Sequence, residues 1–197
     1  MGIKERKKIL SLIKKERSLL KKQLLITALI SKMLEERGYK PPIIAGGCAL
    51  SYYTREVYSS LDIDLVYNDS QSLSSVLFEL GFKKEGRYFV NEEYSIVIEN
   101  PASVLKGSES RTECVELEMN LKCVVIGIED IIIDRMNACK HWESKIDCEM
   151  AELLIAKYKK EIEWKYLLRK AGEPENDIKE EIKRLKCKID GKTNKKV

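Results

Sequence analysis

Two carboxylates stand one residue apart in the stretch DIDLVY, at Asp62 and Asp64. The apolar residues around them predict a β-strand over 62–67, and residues two apart on a strand project from the same face. Two like charges held this close repel each other unless a cation lies between them. Oxygen-only ligands of this kind suit Mg²⁺. The pair therefore indicates a metal site, although a DxD pattern by itself is weak evidence for one.

A glycine pair precedes these acids along the chain. Gly46 and Gly47 follow a short apolar strand predicted at 43–45, and residues 48–57 predict a short helix that leads to the acidic strand. Glycines before a helix let backbone N–H groups approach a phosphate at the positive end of the helix. Glycine pair, helix and acidic strand in this order describe a site for a metal-bound nucleotide. The combination is considerably more specific than either motif alone.

This stretch resembles the nucleotidyltransferase superfamily, which has the fold of DNA polymerase β and the CCA-adding enzymes. It is more similar to the small prokaryotic nucleotidyltransferase-like proteins, whose pattern is GG-x-A-L followed by T/S-x-D-I-D-L. The matching residues are Gly46, Gly47, Ala49, Leu50, Ser60, Asp62, Ile63, Asp64 and Leu65. In that group a D-R pair and a later H-W precede a helix, and Asp134-Arg135 and His141-Trp142 stand in those places. The resemblance covers roughly residues 25–170.

The resemblance implies a metal-dependent nucleotidyltransferase that uses Mg²⁺ or Mn²⁺ and moves a nucleoside monophosphate from an NTP to a hydroxyl acceptor. The acceptor would be a tRNA or a protein side chain. Such proteins often belong to toxin–antitoxin or phage-defence pairs. The alternative is a catalytically inactive member of the fold, kept as a binding module or partner subunit.

The charge distribution raises a third hypothesis. Residues 1–40 hold 12 Lys and Arg against 4 acids, and residues 183–197 hold 7 against 1. Basic ends around an acidic middle can follow a polyanion, which would suit an adaptor that binds nucleic acid. The simpler interpretation is that these ends are solvated surface.

The family uses a third carboxylate on a neighbouring strand, and Glu99 is the candidate here. Glu99 ends the predicted strand YSIVIE, on the opposite face from Ile96 and Ile98. The other nearby acids precede the hairpin or occupy its turn. Most family members carry Asp at this position, and Glu reaches one methylene further. Asp62, Asp64 and Glu99 are thus the predicted catalytic residues and metal ligands. The alternative for Glu99 is a solvent-facing strand end.

The predicted contacts with the nucleotide are Gly46, Gly47, Cys48, Arg55, Ser60 and Arg135. Cys48 stands where the family often has Ser or Thr, and a thiol is a weak substitute for a hydroxyl. Arg55 either reaches the triphosphate or satisfies the dipole at its helix end. Ser60 either orients a carboxylate or a water, or caps a turn. Arg135 either braces the helices or helps to hold the nucleotide.

The chain around these motifs predicts an α+β fold: a nucleotidyltransferase-like mixed sheet flanked by helices, with an N-terminal helix and a C-terminal helical part. The expected segments are an N-terminal helical segment at 1–38, the α/β core at 39–127, the C-terminal helical part at 128–187 and a basic tail at 188–197. Residues 3–37 predict one long helix or two. Further strands are expected at 86–90, 94–99, 113–119 and 121–127, and further helices at 71–80, 128–141, 146–171 and 174–187.

Cysteine and histidine usage limits other kinds of site. The six cysteines show no CxxC or CxxxC spacing and the chain has one histidine, which disfavours zinc. The apolar run LLITALI at 24–30 is short beside the roughly 18 residues of a membrane span and begins too late for a secretory signal. We therefore expect a soluble, cytoplasmic protein with reduced cysteines.

Overall fold

The computed structural model describes residues 1–191 and divides into two compact units. The first unit runs from Met1 to Gly127, and the second begins at Ile128. No helix among the described residues is both long and apolar enough to cross a membrane.

The first unit is built on a seven-stranded mixed sheet. Its strands are β1 Ile43–Ala45, β2 Asp62–Val66, β3 Lys83–Glu85, β4 Tyr88–Asn91, β5 Ile96–Ala102, β6 Glu113–Leu117 and β7 Leu121–Val125. They lie in the order β3-β4-β5-β2-β1-β7-β6. β2 pairs with β5 and β1 with β7 in parallel, and the other neighbours are antiparallel. The predicted α+β class with a mixed sheet is confirmed.

Four helices accompany this sheet: α1 Ile3–Lys15, α2 Leu19–Glu35, α3 Gly46–Thr54 and α4 Ser70–Glu79. The N-terminal segment is two helices because the backbone at Glu16 is extended, with ψ at 135°. Ser18 then starts α2 by accepting a hydrogen bond from the N–H of Lys21. Single turns of 3₁₀ helix lie at Glu109–Arg111 and Glu118–Asn120.

Alternation along the central strands separates the core from an open face. Ile63 and Leu65 of β2 are fully buried, as is Ile98 of β5. Their neighbours Asp62, Asp64, Val97 and Glu99 point the other way and remain partly exposed. Side chains two apart on a strand share a face. The same alternation that fills the core therefore presents the acids together on the other face of the sheet.

The second unit is helical, with α5 Ile128–His141, α6 Lys145–Tyr158, α7 Trp164–Ala171 and α8 Lys179–Ile189. The helix predicted at 146–171 is interrupted between α6 and α7. The last helix begins at Lys179, later than the predicted 174. The basic tail predicted at 188–197 begins inside the end of α8, and its residues 192–197 lie outside the described part of the chain.

A disulfide between Cys139 and Cys148 corrects the expectation that the cysteines are reduced. The two residues lie on α5 and α6, which run back on each other across a short turn, and their Cα atoms are 4.7 Å apart. The expectation of reduced cysteines rests on the expected cytoplasmic location and on the lack of CxxC or CxxxC motifs. A helical hairpin brings together residues nine apart, which none of those motifs anticipates.

Candidate metal and nucleotide site

The three predicted carboxylates meet on the open face of the sheet. In the parallel pairing of β2 with β5, Asp64 stands opposite Glu99 and Asp62 opposite Val97. One carboxylate oxygen from each of Asp62, Asp64 and Glu99 can be chosen such that all three lie within 4.8 Å of one another. All three residues are partly buried. The structure thus brings the acids together through strand register, as the alternation of both strands requires.

This donor set fits a hard divalent cation. It offers carboxylate oxygens from three residues, and Mg²⁺ and Mn²⁺ prefer such ligands over nitrogen or sulfur. Three like charges at this separation oppose one another unless a cation shares them. Asp62, Asp64 and Glu99 are therefore the residues that could hold a metal ion.

Gly46 and Gly47 let the start of α3 approach these acids closely. Gly46 has a φ of +54°, and a Cβ atom there would lie 1.9 Å from Oδ2 of Asp64. A Cβ atom at Gly47 would lie 2.5 Å from Oγ of Ser60. The N–H of Gly47 donates to Oδ2 of Asp64 at 3.3 Å. Gly46 is therefore required by the carboxylate of Asp64 and Gly47 by the side chain of Ser60, in addition to any phosphate that the helix end would face.

Ser60 orients one of the acids. Its hydroxyl donates to Oδ1 of Asp62 at 2.8 Å, and its own N–H donates to the hydroxyl of Ser51 at 3.0 Å. Ser60 is 7% exposed, so its rotamer is constrained by its surroundings. Of the two roles considered from the sequence, contact with a carboxylate is the one seen in the structure.

The structure removes the Cys48 side chain from the candidate nucleotide contacts. Cys48 is fully buried, and burial raises the pKa of its thiol well above the usual range. A buried neutral thiol cannot reach a phosphate on the open face. The reason is helical phase: α3 starts at Gly46, so its third residue faces the core.

The two predicted arginines lie in different surroundings. Arg55 is exposed and follows α3 as its C-cap, with a φ of +54°. Arg135 belongs to α5 in the second unit, where its guanidinium pairs with Asp134 and Asp147. Its Nη1 atom lies 2.7 Å from Oδ1 of Asp147. The guanidinium of Arg135 is thus already paired with two carboxylates, as expected if Arg135 braces the helices.

Arg87 is a residue of the site that the sequence did not reveal. Its Nε atom lies 3.5 Å from Oε1 of Glu99, and its guanidinium stacks 4.9 Å from the ring centre of Tyr88. A hydrogen bond to the Tyr88 hydroxyl, together with the charge of Glu99, raises the pKa of Arg87. The available signal was the hairpin register, because β4 places Tyr88 opposite Glu99. To predict that register from the sequence, one must know which residues form the turn.

A groove of about 470 Å³ opens beside Asp62. It is lined by Tyr58, Ser59, Ser60, Leu61, Asp62, Tyr88 and Val97. Leu61 is 79% exposed, which is unusual for so large an apolar side chain. The groove offers an apolar and aromatic surface that ends at a carboxylate.

Comparison with known proteins gives similar structures but no family. No family model matches the chain, and no curated protein matches it. The solution structure of the antibiotic-resistance factor ANT(2'')-Ia is similar over 69% of this chain and 85% of that one, with 17% identity and a TM-score of 0.45. The crystal structure of ANT(2'')-Ia in complex with adenylyl-2''-tobramycin is similar over 75% and 93%, with 18% identity and a TM-score of 0.49. The function of this chain is therefore inferred from its own site.

Proposed function

We propose that the protein is a metal-dependent nucleotidyltransferase, which moves a nucleoside monophosphate from an NTP to a hydroxyl acceptor. The observation that carries this proposal is the meeting of Asp62, Asp64 and Glu99 within 4.8 Å, directly beside the N-terminus of a helix that begins with two glycines. Carboxylates for a cation and a helix end for phosphates are the two elements that an NTP–metal complex needs.

Each residue then has a defined task. Asp62, Asp64 and Glu99 would hold Mg²⁺ or Mn²⁺, which when bound neutralises the triphosphate and lowers the pKa of the acceptor hydroxyl. The backbone N–H groups of Gly46 and Gly47 would face the β- and γ-phosphates at the positive end of α3. Ser60 keeps the carboxylate of Asp62 in place through its 2.8 Å hydrogen bond.

The transfer itself is a substitution at the α-phosphorus. The acceptor oxygen forms a bond to that phosphorus, the bond from the phosphorus to the β-phosphate oxygen breaks, and pyrophosphate leaves. The proton of the acceptor hydroxyl passes to the carboxylate of Glu99. A positioned proton acceptor typically contributes 10²- to 10⁴-fold to the rate.

The acceptor is proposed from the surface beside the acids. A hydroxyl group in the groove lined by Tyr58, Leu61 and Tyr88 would lie next to Asp62. A tRNA end or a protein side chain could present such a hydroxyl, and the basic N-terminal residues favour the RNA. A toxin–antitoxin role is suggested by the sequence resemblance alone. A second small reading frame overlapping this gene would favour it.

Incorporation of α-labelled nucleotide tests the proposal. Purified protein is incubated with each of four NTPs, Mn²⁺, and either total tRNA or cell protein. We expect labelling by the wild type and a loss of at least about 10²-fold for Glu99→Gln, which keeps the shape but removes the proton acceptor. Glu92→Gln is the matched control, because Glu92 is exposed in the hairpin turn. Equal labelling by Glu99→Gln would place the third carboxylate elsewhere.

The alternative is a binding module that holds nucleotide without transferring it. The buried Cys48 favours it, because no side-chain hydroxyl stands at that position to bind a phosphate. If the wild type binds Mn²⁺-NTP but labels neither tRNA nor protein, the binding-module hypothesis replaces the enzyme hypothesis.

A further inference from the structure

Gln23 is a buried polar residue on α2 that reaches both parts of the candidate site. It is 1% exposed. Its side-chain Nε2 atom donates to the carbonyl of Ser60 at 3.0 Å and to that of Asp62 at 3.4 Å. Its Oε1 atom accepts from the thiol of Cys48, 3.6 Å away. One amide thus connects α2 to the start of β2 and to the first turn of α3.

β1 is too short to pair with the residues whose carbonyls accept from Gln23. β1 ends at Ala45, which stands opposite Asp64, so the residues before Asp64 lie beyond the end of β1. A buried carbonyl without a hydrogen bond costs about 1–3 kcal/mol. The primary amide of Gln offers two N–H donors and one carbonyl acceptor, which matches partners on two different elements.

The other buried polar residues of α2 behave differently. Thr27 and Ser31 follow Gln23 at intervals of four and lie on the same face of the helix. The Thr27 hydroxyl donates to the carbonyl of Gln23 and the Ser31 hydroxyl to that of Thr27, each at 2.9 Å. These hydroxyls are satisfied within their own helix. The side chain of Gln23 instead bonds to the strand that carries Asp62.

We infer that Gln23 is a positioning residue for the carboxylates of the site, an inference that rests on the proposed metal-dependent transfer. It holds the backbone of Ser60 and Asp62, and the Ser60 hydroxyl then orients Oδ1 of Asp62 at 2.8 Å. It also holds Cys48. Cys48 directly follows Gly47, and the N–H of Gly47 donates to Oδ2 of Asp64. Removing groups that orient metal ligands commonly lowers metal affinity or activity about 10- to 100-fold.

The test measures Mn²⁺ affinity directly, from the electron paramagnetic resonance signal of the free ion. Gln23→Met keeps the length of the side chain but has no N–H donor. Thr27→Val is the matched control, because it removes a hydrogen bond of equal burial from the same face of α2. We expect Gln23→Met to weaken Mn²⁺ binding about tenfold or more and Thr27→Val to leave it unchanged.

A second variant and a kinetic measurement separate positioning from stability. Gln23→Asn keeps the amide but shortens the side chain by one methylene. If the Met variant does not fold, the same loss of Mn²⁺ affinity is expected for Gln23→Asn. Circular dichroism below the melting temperature checks that each variant is folded. In transfer assays at saturating Mn²⁺ and NTP, kcat should fall for each Gln23 variant and stay unchanged for Thr27→Val, because only Gln23 holds the backbone of Ser60 and Asp62.

Each failure has its own meaning. If the wild type binds Mn²⁺ and a folded Gln23 variant binds it equally well, the inference is wrong and the metal site stands. If Thr27→Val weakens binding as much as Gln23→Met does, the effect is a general loosening of α2 and the inference is again wrong. If the wild type binds no Mn²⁺, the proposed metal-dependent function fails, and the inference fails with it.

Discussion

Two clusters of carboxylates and arginine in this protein are organised in opposite ways. On the sheet of the first unit, Asp62, Asp64 and Glu99 crowd together, and Arg87 pairs with Glu99 from a side chain that is 70% exposed. In the second unit, Arg135 lies between Asp134 and Asp147, and its side chain is only 16% exposed. In the second cluster one guanidinium pairs with both carboxylates in a partly buried setting, which is the arrangement expected of a structural brace. The first cluster concentrates like charges, an arrangement that costs stability unless a cation shares them.

Removing the acids should have the largest effect and the clearest sign. Without metal, Asp62→Asn with Asp64→Asn should raise the melting temperature, because it relieves repulsion between like charges. With Mn²⁺ and NTP at about 100 times their dissociation constant, the wild type should gain about 2.7 kcal/mol. That gain corresponds to roughly 5–11 °C for a chain of this size, and the double variant should lose it entirely. Differential scanning fluorimetry with and without EDTA makes both measurements.

Glu92→Gln again serves as control, since it removes a carboxylate from the hairpin turn and should shift with Mn²⁺-NTP as the wild type does. A ligand-dependent shift that persists in the double variant would mean that the metal lies elsewhere. A double variant that melts lower in EDTA would mean that the acids serve stability, as those around Arg135 do.

The next effect comes from the glycine that lies against Asp64. Gly46→Ala would place a Cβ atom 1.9 Å from Oδ2 of Asp64, so the carboxylate must move by more than an ångström. A displacement of that size commonly costs about 10²-fold in rate. Gly38→Ala is a matched control, because Gly38 also has a positive φ, of +81°, but no atom lies within 4 Å of the added Cβ. Both variants pay the cost of a left-handed alanine, about 1–2 kcal/mol.

Mn²⁺ affinity and nucleotidyl transfer are measured for both alanine variants. Only Gly46→Ala should lose them. If Gly38→Ala loses them equally, backbone strain is the cause, and the contact with Asp64 is not.

How far the site could be predicted depends on the range of the interaction. Alternation within one strand is enough to place Asp62 and Asp64 on one face. The family resemblance implies a third carboxylate on a neighbouring strand, and alternation within that strand gives the face on which Glu99 lies. Arg87 depends on the hairpin register, and Gln23 contacts Asp62 of β2 across 39 positions of sequence. Neither contact produces a periodic pattern of residues in the sequence. The α+β class could be predicted because it depends on local patterns, whereas contacts between distant elements could not.

Helical phase explains the remaining differences. The resemblance places Cys48 among the phosphate contacts, where the family often has Ser or Thr, but a helix that starts at Gly46 turns its third residue inward. The end of α5 and the start of α6 likewise determine that Cys139 meets Cys148. Sequence patterns locate helices well but their first residues poorly, and the direction of a side chain depends on that first residue.

A smaller effect is expected where one arginine is shared by two carboxylates. Arg135→Gln leaves Asp134 and Asp147 facing each other without their shared cation. Losing charged hydrogen bonds in this partly buried setting should lower the free energy of unfolding by about 1.5–3 kcal/mol. Arg169→Gln is the control, because Arg169 pairs with Glu173 from a side chain that is 61% exposed. That change should stay within about 0.5 kcal/mol. Urea unfolding measures both, and equal losses would contradict a bracing role for Arg135.

The smallest effect should come from the same substitution at the other cluster. Arg87→Gln removes a largely exposed cation 3.5 Å from Glu99, so little stability should be lost. The field at the acids changes, however, because a positive charge that competes with a metal ion is gone. Mn²⁺ affinity should therefore rise about two- to fivefold at low salt, and the gain should shrink as added salt screens the charge.

Lys84→Gln makes the same change in net charge on the opposite face, since Lys84 pairs with Phe89 while Tyr88 stands opposite Glu99. If Lys84→Gln raises the Mn²⁺ affinity equally, the effect comes from net charge alone. A weaker affinity in Arg87→Gln would show that the guanidinium holds Glu99 in position, so that the two clusters are more alike than their burial indicates.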